Sequence, residues 1–500
     1  MGKRAKLTWG LISLTVIGGL AVWRYGLLQG PVSVFQTATT GRPTESAKMH
    51  NDQISQSKLM AGVVEGFYGP KWSNSATKQM LRFMRHEGLN TFVYAPKNDP
   101  YLRAQWNQLY PSSNLKRLAE LVNTAKANQI QFVCSISPGL SIDYASVRDQ
   151  HELMAKINQL WSIGIRSFML SFDDIPVQLP QNQAQEYHNN LALAQCQLVD
   201  KIYSQQHHQG HDINILFTPT EYWGLTNNMY WHTLKTRLNA QIPVIWTGPD
   251  VLSKTITHQE VLSVKHHIGH PLVIWDNYPV NDYTYVIKHH PQLFMGPVNG
   301  RGPHVLGALR GYLFNPMLQP YASELALATG ASYLEHPLTY NPQSAWLQAL
   351  TMWRGPTRKA LKSFAGANSV SYLDGVPLDH LNNHIVSFWT SYGQHKNLLS
   401  TPLYKQFERW KESAAVLHHG LSAPFYEEIR PWLRLYQQEA ELGIQVSDAL
   451  AHPQLTTAAT AHRLIAQQAQ ISGSVRQLGV HVILQGWFTK SFHQPPFNTP

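Results

Sequence analysis

The sequence predicts an α/β protein: a (β/α)8 barrel, then an all-α helical bundle, with an N-terminal membrane anchor. Three observations carry this. Between Ala61 and residue 335, short β-branched or aromatic runs alternate eight times with helical stretches, the pattern of βα units and a parallel sheet. Nearly every run ends in a residue able to do chemistry, and barrel strands converge on one face where active sites sit. After about Asn341 only helical patterning remains. Composition agrees. The chain has 500 residues, 14% charged and 43% hydrophobic, too apolar for a disordered chain and long enough for a large barrel plus an accessory domain.

At the N-terminus, Lys3, Arg4 and Lys6 precede an apolar run from Leu7 to Trp23, which Arg24 closes. Its 17 residues sit at the short end of a membrane span of about 17–25. They are slightly long for a signal-peptide core of about 7–15. Residues 1–28 therefore read as a signal anchor. The positive flank stays inside, so the domain carrying the chemistry lies outside the cell membrane. Secretion after cleavage is the alternative. Residues 29–58, rich in Thr, Ser, Gln, Pro and Gly, read as a flexible linker.

The barrel is assigned to residues 59–340. Its strands are read at Gly62–Tyr68, Thr91–Ala95, Gln131–Ser135, Ser167–Phe172, Asn214–Thr218, Pro243–Trp246 and Leu272–Trp275, with a last one ending at Phe314. Helices are read at Ala76–Glu87, Leu115–Asn128, Gln150–Ile163, Gln183–Gln206, Asn228–Leu238, His258–His267 and Ala322–Tyr333. Eight such units match a barrel of about 250 residues. An open doubly wound sheet is the other arrangement, but it advertises a Gly-rich phosphate turn after its first strand. Here that strand ends in Glu65-Gly66-Phe67-Tyr68-Gly69, which lacks the spacing. The stretch Gly296–Gly302 does not fit a phosphate loop either and reads as a mobile loop near the eighth strand.

Residues 341–490 read as a helical bundle, with helices at Ser344–Trp353, Asp379–Tyr392, Leu403–His418, Tyr426–Leu442 and Thr457–Leu478. Trp389, Trp410 and Trp432 are expected in its core. Residues 491–500, with three prolines, read as a loose tail.

Charge and cysteine usage narrow the function. The net charge of +10 is diffuse, without a run of basic residues or a nucleic-acid motif, so no nucleic-acid partner is expected. Cys134 and Cys196 lie in apolar contexts and read as buried free thiols; two cysteines exclude a disulfide-stapled scaffold and a four-cysteine zinc site. His151-Glu152 is followed by Ala155 where a metalloprotease needs its second His, and no metal site is read from the sequence.

The sharpest local signal is Ser171-Phe172-Asp173-Asp174 at the end of the fourth strand. Two adjacent carboxylates after an apolar strand are costly if unused, because burial and mutual repulsion both oppose ionisation. Environments that split the pair, one protonated and one charged, suit glycoside hydrolysis. A helix cap plus a surface charge is the plain alternative, and a divalent-metal site lacks a third carboxylate at a fixed local spacing.

Gly62-Val63-Val64-Glu65-Gly66-Phe67-Tyr68-Gly69, with Trp72 after it, resembles the opening of the glycoside hydrolase family 84 catalytic domain. The resemblance continues through Tyr94-Ala95-Pro96-Lys97, Ser171 to Asp174, Thr218 to Tyr222, Trp275 to Tyr283 and Gly311 to Met317. These motifs keep the family's order over residues 61–335. The family contains O-GlcNAcases, bacterial β-N-acetylglucosaminidases and proteins historically called hyaluronidases. Its fold, a (β/α)8 barrel followed by a helical domain, coincides with the reading above.

The resemblance implies a retaining exo-β-N-acetylglucosaminidase that removes terminal β-linked GlcNAc from a glycan or glycoconjugate. Its mechanism would be substrate-assisted: the sugar's own acetamido oxygen attacks C1 and gives an oxazoline, an intramolecular step of high effective molarity. By carry-over, Asp173 polarises the acetamido N–H, and Asp174 is general acid and then general base. Gly66 offers its backbone to the sugar, and Lys97 offers a cation to a hydroxyl. Tyr222 bonds the acetamido region, and Trp275 walls the N-acetyl methyl. Asn277, Asp282 and Asn315 hold hydroxyls. No cofactor is needed. The chain departs from the family pattern twice: Pro70 comes one place early, putting Lys71 before Trp72, and Lys97-Asn98-Asp99 stands where relatives have Lys-Asp-Asp. Hyaluronidase-type endo cleavage and a glycan-binding barrel with weak turnover are the alternative functions.

Overall fold

The computed structural model describes residues 59–286, 292–373, 378–472 and 480–498. The expected anchor at 1–28 and linker at 29–58 lie outside them. Among the described residues, no helix is long and apolar enough to cross a membrane.

Eight parallel strands close into a barrel in sequence order. They are β1 Met60–Glu65, β2 Thr91–Tyr94, β3 Gln131–Ile136, β4 Ser167–Ser171, β5 Asn214–Thr218, β6 Val244–Trp246, β7 Leu272–Asp276 and β8 Gly311–Phe314. Closure is made by β8 pairing with β1, Met60 opposite Gly311 and Val63 opposite Phe314. Strand period two sorts the side chains. Val64, Val93, Val133, Met169, Leu216, Ile245, Val273 and Leu313 point inward and fill the barrel as one cluster. Their neighbours Val63, Phe92, Phe132, Phe168, Ile215, Val244, Ile274 and Tyr312 join the larger core beneath the helices. Cys134 and Cys196 are buried free thiols.

The outer helices are α1 Asn74–His86, α2 Ser112–Ala127, α3 Val147–Ser162, α4 Gln181–Ala184, α5 Leu191–His208, α6 Met229–Arg237, α7 His258–Ile268, the short α8 Asp282–Val286, and α9 Pro320–Glu335. The single helix expected over Gln183–Gln206 is two. His188 and Asn189 adopt φ of 52° and 58°, and Asn190 then caps α5 by accepting from the Leu193 N–H at 3.0 Å. The Gly296–Gly302 stretch, expected to be mobile, is tied down by the buried Arg301. Its guanidinium donates to Asp276 Oδ2 at 2.8 Å, and to the carbonyls of Ser253, Lys254 and Asn299 at 3.2, 3.1 and 2.9 Å.

The helical part comprises α10 Pro342–Ala349, α11 Gly355–Ala367, α12 Leu381–Gly393, α13 Pro402–Gly420, α14 Ala423–Ala451, α15 Ala458–Ser472 and α16 His481–Phe492. Helix α14 runs past Leu442, the end expected from the sequence. A Cβ on Gly443 would lie 2.6 Å from the Phe407 ring, so this glycine admits a neighbouring helix rather than stopping its own. Helices α11 and α16 were not expected. Pro356 occupies the first turn of α11, where it lacks no hydrogen bond. Trp410 and Trp432 are buried as expected, while Trp389 is half-buried under the Lys490 ammonium, 4.4 Å from its ring. The expected loose tail is anchored as well: α16 continues to Phe492, and the buried Phe497 packs on that ring at 5.0 Å.

Candidate active site

The chemistry-bearing residues project from the C-terminal ends of the strands. β4 ends at Ser171 and delivers Asp173 and Asp174 in different settings. Asp173 is 7% exposed and pairs with the Lys97 ammonium, which follows β2. Burial opposes charge on Asp173, but Lys97, aided by Arg103, outweighs it and holds the carboxyl below its usual range. Lys97 bonds Asp173 Oδ2, whereas Oδ1 is buried without a hydrogen-bond partner.

Asp174 turns the opposite way. It has φ of 56°, left-handed and uncommon for a non-glycine residue, and its side chain is exposed. Two phenols hold it: Tyr68 donates to Oδ2 at 2.8 Å and Tyr222 to Oδ1 at 2.9 Å. Burial, reinforced by the Asp174 charge, pushes both phenols above their ordinary range, so they remain neutral donors. The Tyr222 loop is itself fastened, since the Thr247 N–H donates to the Tyr222 carbonyl at 2.9 Å.

The far wall is a chain of amides. Asn277 Oδ1 accepts from Trp275 Nε1 and from Asn315 Nδ2, both at 2.9 Å. Asn315 Oδ1 accepts from the Gly66 N–H at 3.3 Å. Asn277 therefore fixes the Trp275 ring, and its Nδ2 also donates to the Val251 carbonyl at 2.8 Å. Gly66 must be glycine, because a Cβ there would lie 2.1 Å from Trp275 Cζ2. Asp282 accepts from the Tyr68 N–H at 2.9 Å. Burial raises its carboxyl against that bond. Lys97 Nζ stands 5.7 Å from the Tyr68 ring centre and 5.7 Å from that of Trp275, joining the two sides of the pocket.

All nine positions singled out in the sequence fall in this one network. Sequence reasoning missed five supporting residues. Tyr68 was visible as a strand-end residue, but nothing local ties it to Asp174. Arg103, 5.5 Å from the Tyr68 ring centre, carries no sequence signal. Tyr372, beyond the barrel, donates to the Asn277 carbonyl. Arg301 and Tyr312 hold Asp276, which turns a strand-end carboxylate into scaffold. Among the described residues, no group of His, Cys, Asp and Glu could hold a metal ion.

Carboxylates in two such different environments at the mouth of a barrel belong to a glycoside hydrolase, and sequence comparison agrees. The chain belongs to glycoside hydrolase family 84: the family described as beta-N-acetylglucosaminidase matches residues 61–366. It is similar to the protein O-GlcNAcases of Rattus norvegicus and Mus musculus, 34% identical to each over 282 residues, which is 55% of this chain and 30% of each relative. The match thus spans less than a third of those relatives' length. Among solved structures, a mutant of the Thermobaculum terrenum O-GlcNAc hydrolase is 29% identical with a TM-score of 0.79, covering 87% of this chain and 94% of that one. CpGH84B shares the fold at 24% identity and a TM-score of 0.75, over 87% of this chain and 77% of that one.

Proposed function

We propose that the chain is a retaining exo-β-N-acetylglucosaminidase that removes terminal β-linked GlcNAc by way of an oxazoline. The observation that carries this is the unpartnered Asp173 Oδ1, a buried acceptor on a carboxylate held ionised by Lys97. A buried unpaired acceptor is costly. An acetamido N–H would satisfy it, and the negative charge would favour build-up of positive charge on that nitrogen as its carbonyl oxygen attacks C1. Asp174 then gives its proton to the departing glycosidic oxygen. In the second half it takes a proton from the water that opens the oxazoline. Phenols donating to both its oxygens suit the carboxylate of that second half, and a hydroxyl can reverse its role when Asp174 carries the proton. Trp275, locked by Asn277, would bound the N-acetyl methyl; Asp282, Asn315 and the Gly66 backbone would meet hydroxyls.

The test is release of 4-nitrophenol from its β-GlcNAc glycoside. Asp174→Asn, folded and pure, should lose about 10²–10⁴ of the rate with an aglycone that needs protonation. Ordinary turnover by that variant of a substrate with such an aglycone, for example methyl β-GlcNAc, would remove the assignment of the acid. A thiazoline mimic of the intermediate should inhibit competitively and bind far better than free GlcNAc. Anchoring through residues 1–28, with the barrel outside the cell membrane, is part of the proposal on the sequence alone. Its check is whether the full chain pellets with membranes and resists alkaline extraction.

A further inference from the structure

We infer that the site beyond the scissile bond selects a neutral sugar as leaving group, stacked on Trp223, and disfavours acidic polymers. This rests on the proposed function, which puts the leaving oxygen beside Asp174. The aglycone must then lie against the segments that flank Asp174 at the barrel mouth, those following the neighbouring strands β3, β4 and β5. These are residues 137–146, 172–190 and 219–228.

Three observations define what can lie there. First, the segments expose large apolar side chains: Leu140 at 53%, Val177 at 65%, Trp223 at 48% and Leu225 at 40%. Exposed apolar side chains on the segments around a site are candidates for contact with what docks there. Second, Trp223 directly follows Tyr222, whose hydroxyl bonds Asp174, so it lies on the loop that holds the acid. The loop is pinned on both sides of it. Tyr222 O accepts from Thr247 N at 2.9 Å, Gly224 N donates to Gly248 O at 3.0 Å, and Gly224 O accepts from Trp246 Nε1 at 3.0 Å. A rigid, half-exposed indole is a preorganised stacking platform. Third, the chain has 40 Lys and Arg, yet none falls in these three segments, whereas Asp143, Asp173, Asp174, Glu186 and Glu221 do.

Within these segments a carboxylate-rich aglycone would therefore meet acids and no cation. Of the cations near the acid, Lys97 is already paired with Asp173 and Arg103 lies against the Tyr68 ring, so the surface it meets is repulsive and works as discrimination. A neutral pyranose fits better. Its C–H face covers an indole, and the amides of these segments, including Gln178, Asn182 and Asn227, suit its hydroxyls. A peptide could use the apolar side chains, but a single flat ring on the loop that holds the acid matches a sugar ring most directly.

The experiment compares four substrates with the full chain: methyl β-GlcNAc, β-GlcNAc linked to galactose, β-GlcNAc linked to glucuronate, and a β-GlcNAc-serine peptide. The galactoside should be cleaved with the highest kcat/KM and the glucuronate compound at least about tenfold more slowly. Trp223→Ala should lower kcat/KM for the galactoside about tenfold and for methyl β-GlcNAc less than about twofold. Trp223→Phe should restore most of the loss, and the thiazoline mimic should bind both variants as it binds the parent. Equal losses on the methyl and galactosyl substrates would overturn the platform. A glucuronate compound cleaved as well as the galactoside would overturn the neutral selection. A larger Trp223→Ala loss on the peptide than on the galactoside would reassign the surface to polypeptide. Absence of hydrolysis on all four substrates would instead remove the glycosidase reading itself.

Discussion

The Lys71 backbone N–H donates to the side-chain oxygen of Asn98 at 3.2 Å, so the two departures from the family pattern touch each other. The contact extends inward. Lys71 Nζ bonds the buried Asp99 at 2.7 Å, and Asp99 also accepts from the Tyr94 hydroxyl at 3.3 Å and the Tyr101 N–H at 3.1 Å. The rim beside Lys97 is thus rebuilt as a unit, and the burden falls on Asp99. Asn98→Ala should cost about 1 kcal/mol of stability and leave kcat/KM within a few-fold. Asp99→Ala should cost about 3 kcal/mol, because three donors lose their acceptor. Urea unfolding separates the two; equal midpoints would show that Asp99 does not organise the rim.

Lys97 and Asp173 form a buried ion pair, their side chains only 5% and 8% exposed. Breaking such a pair from one side strands a charge and costs about 3–5 kcal/mol. Lys97→Met should therefore destabilise by that order and lower kcat/KM more than KM alone explains. The pH signature has a definite sign. Asp173 is lowered in the folded chain, so its stabilisation is present above its unfolded value, about 3.9, and is lost as pH falls through the lower folded value. Stability measured from pH 5 to pH 2 should fall more steeply in the parent than in Lys97→Met. Parallel curves would show that Lys97 does not hold Asp173 ionised.

Gly66 and Trp275 should be coupled in a double-mutant cycle. Gly66→Ala drives a methyl into the indole, 2.1 Å from Cζ2, and must displace the ring. The loss in stability should be about 1–3 kcal/mol, with kcat/KM down at least about tenfold as this wall of the pocket moves. In a Trp275→Phe background the methyl finds room, so the stability cost of Gly66→Ala should shrink by more than about 0.5 kcal/mol. Strict additivity would mean the ring is not what Gly66 accommodates.

The barrel and its mouth were legible because both follow short-range rules. Strand runs such as Thr91–Tyr94 and Asn214–Thr218 announce themselves by β-branched and aromatic residues, and strand ends announce the chemistry. What stayed hidden depends on contacts remote in sequence. Tyr68 bonds Asp174 across 106 positions, and Tyr372 reaches Asn277 across 95. Asp276 looked like Asp282 in sequence, but Arg301 and Tyr312 claim it. The helix expected to end at Leu442 runs on, and the fit of Gly443 against the Phe407 ring is invisible along the chain. The left-handed turn at Asp174, which sends two adjacent carboxylates to different environments, has no local sequence signature.

Stability should peak on the acid side of neutrality, and three carboxyls set the slope. Burial raises Glu65 from 4.5 to about 8, Glu428 to about 8 and Glu324 to about 7. Each therefore keeps its proton in the folded chain at a pH where the unfolded chain releases it. Their contribution is complete below about 4.5 and is lost as pH rises through the folded values. Glu65 sits at the end of β1, with one oxygen on the Trp72 N–H at 2.9 Å and the other buried without a partner. Glu428, from α14, accepts from the N–H groups of Tyr321 and Ala322 at 3.2 and 2.7 Å, and so ties the helical part to the start of α9. The melting temperature of the parent should thus decline between pH 5 and pH 8. Glu65→Gln and Glu428→Gln imitate the protonated carboxyl, so each should flatten that decline and melt above the parent at pH 8 while matching it near pH 5. Glutamine variants that keep the parent's slope would mean these carboxyls are ionised in the folded protein, and burial would not be the force that governs them.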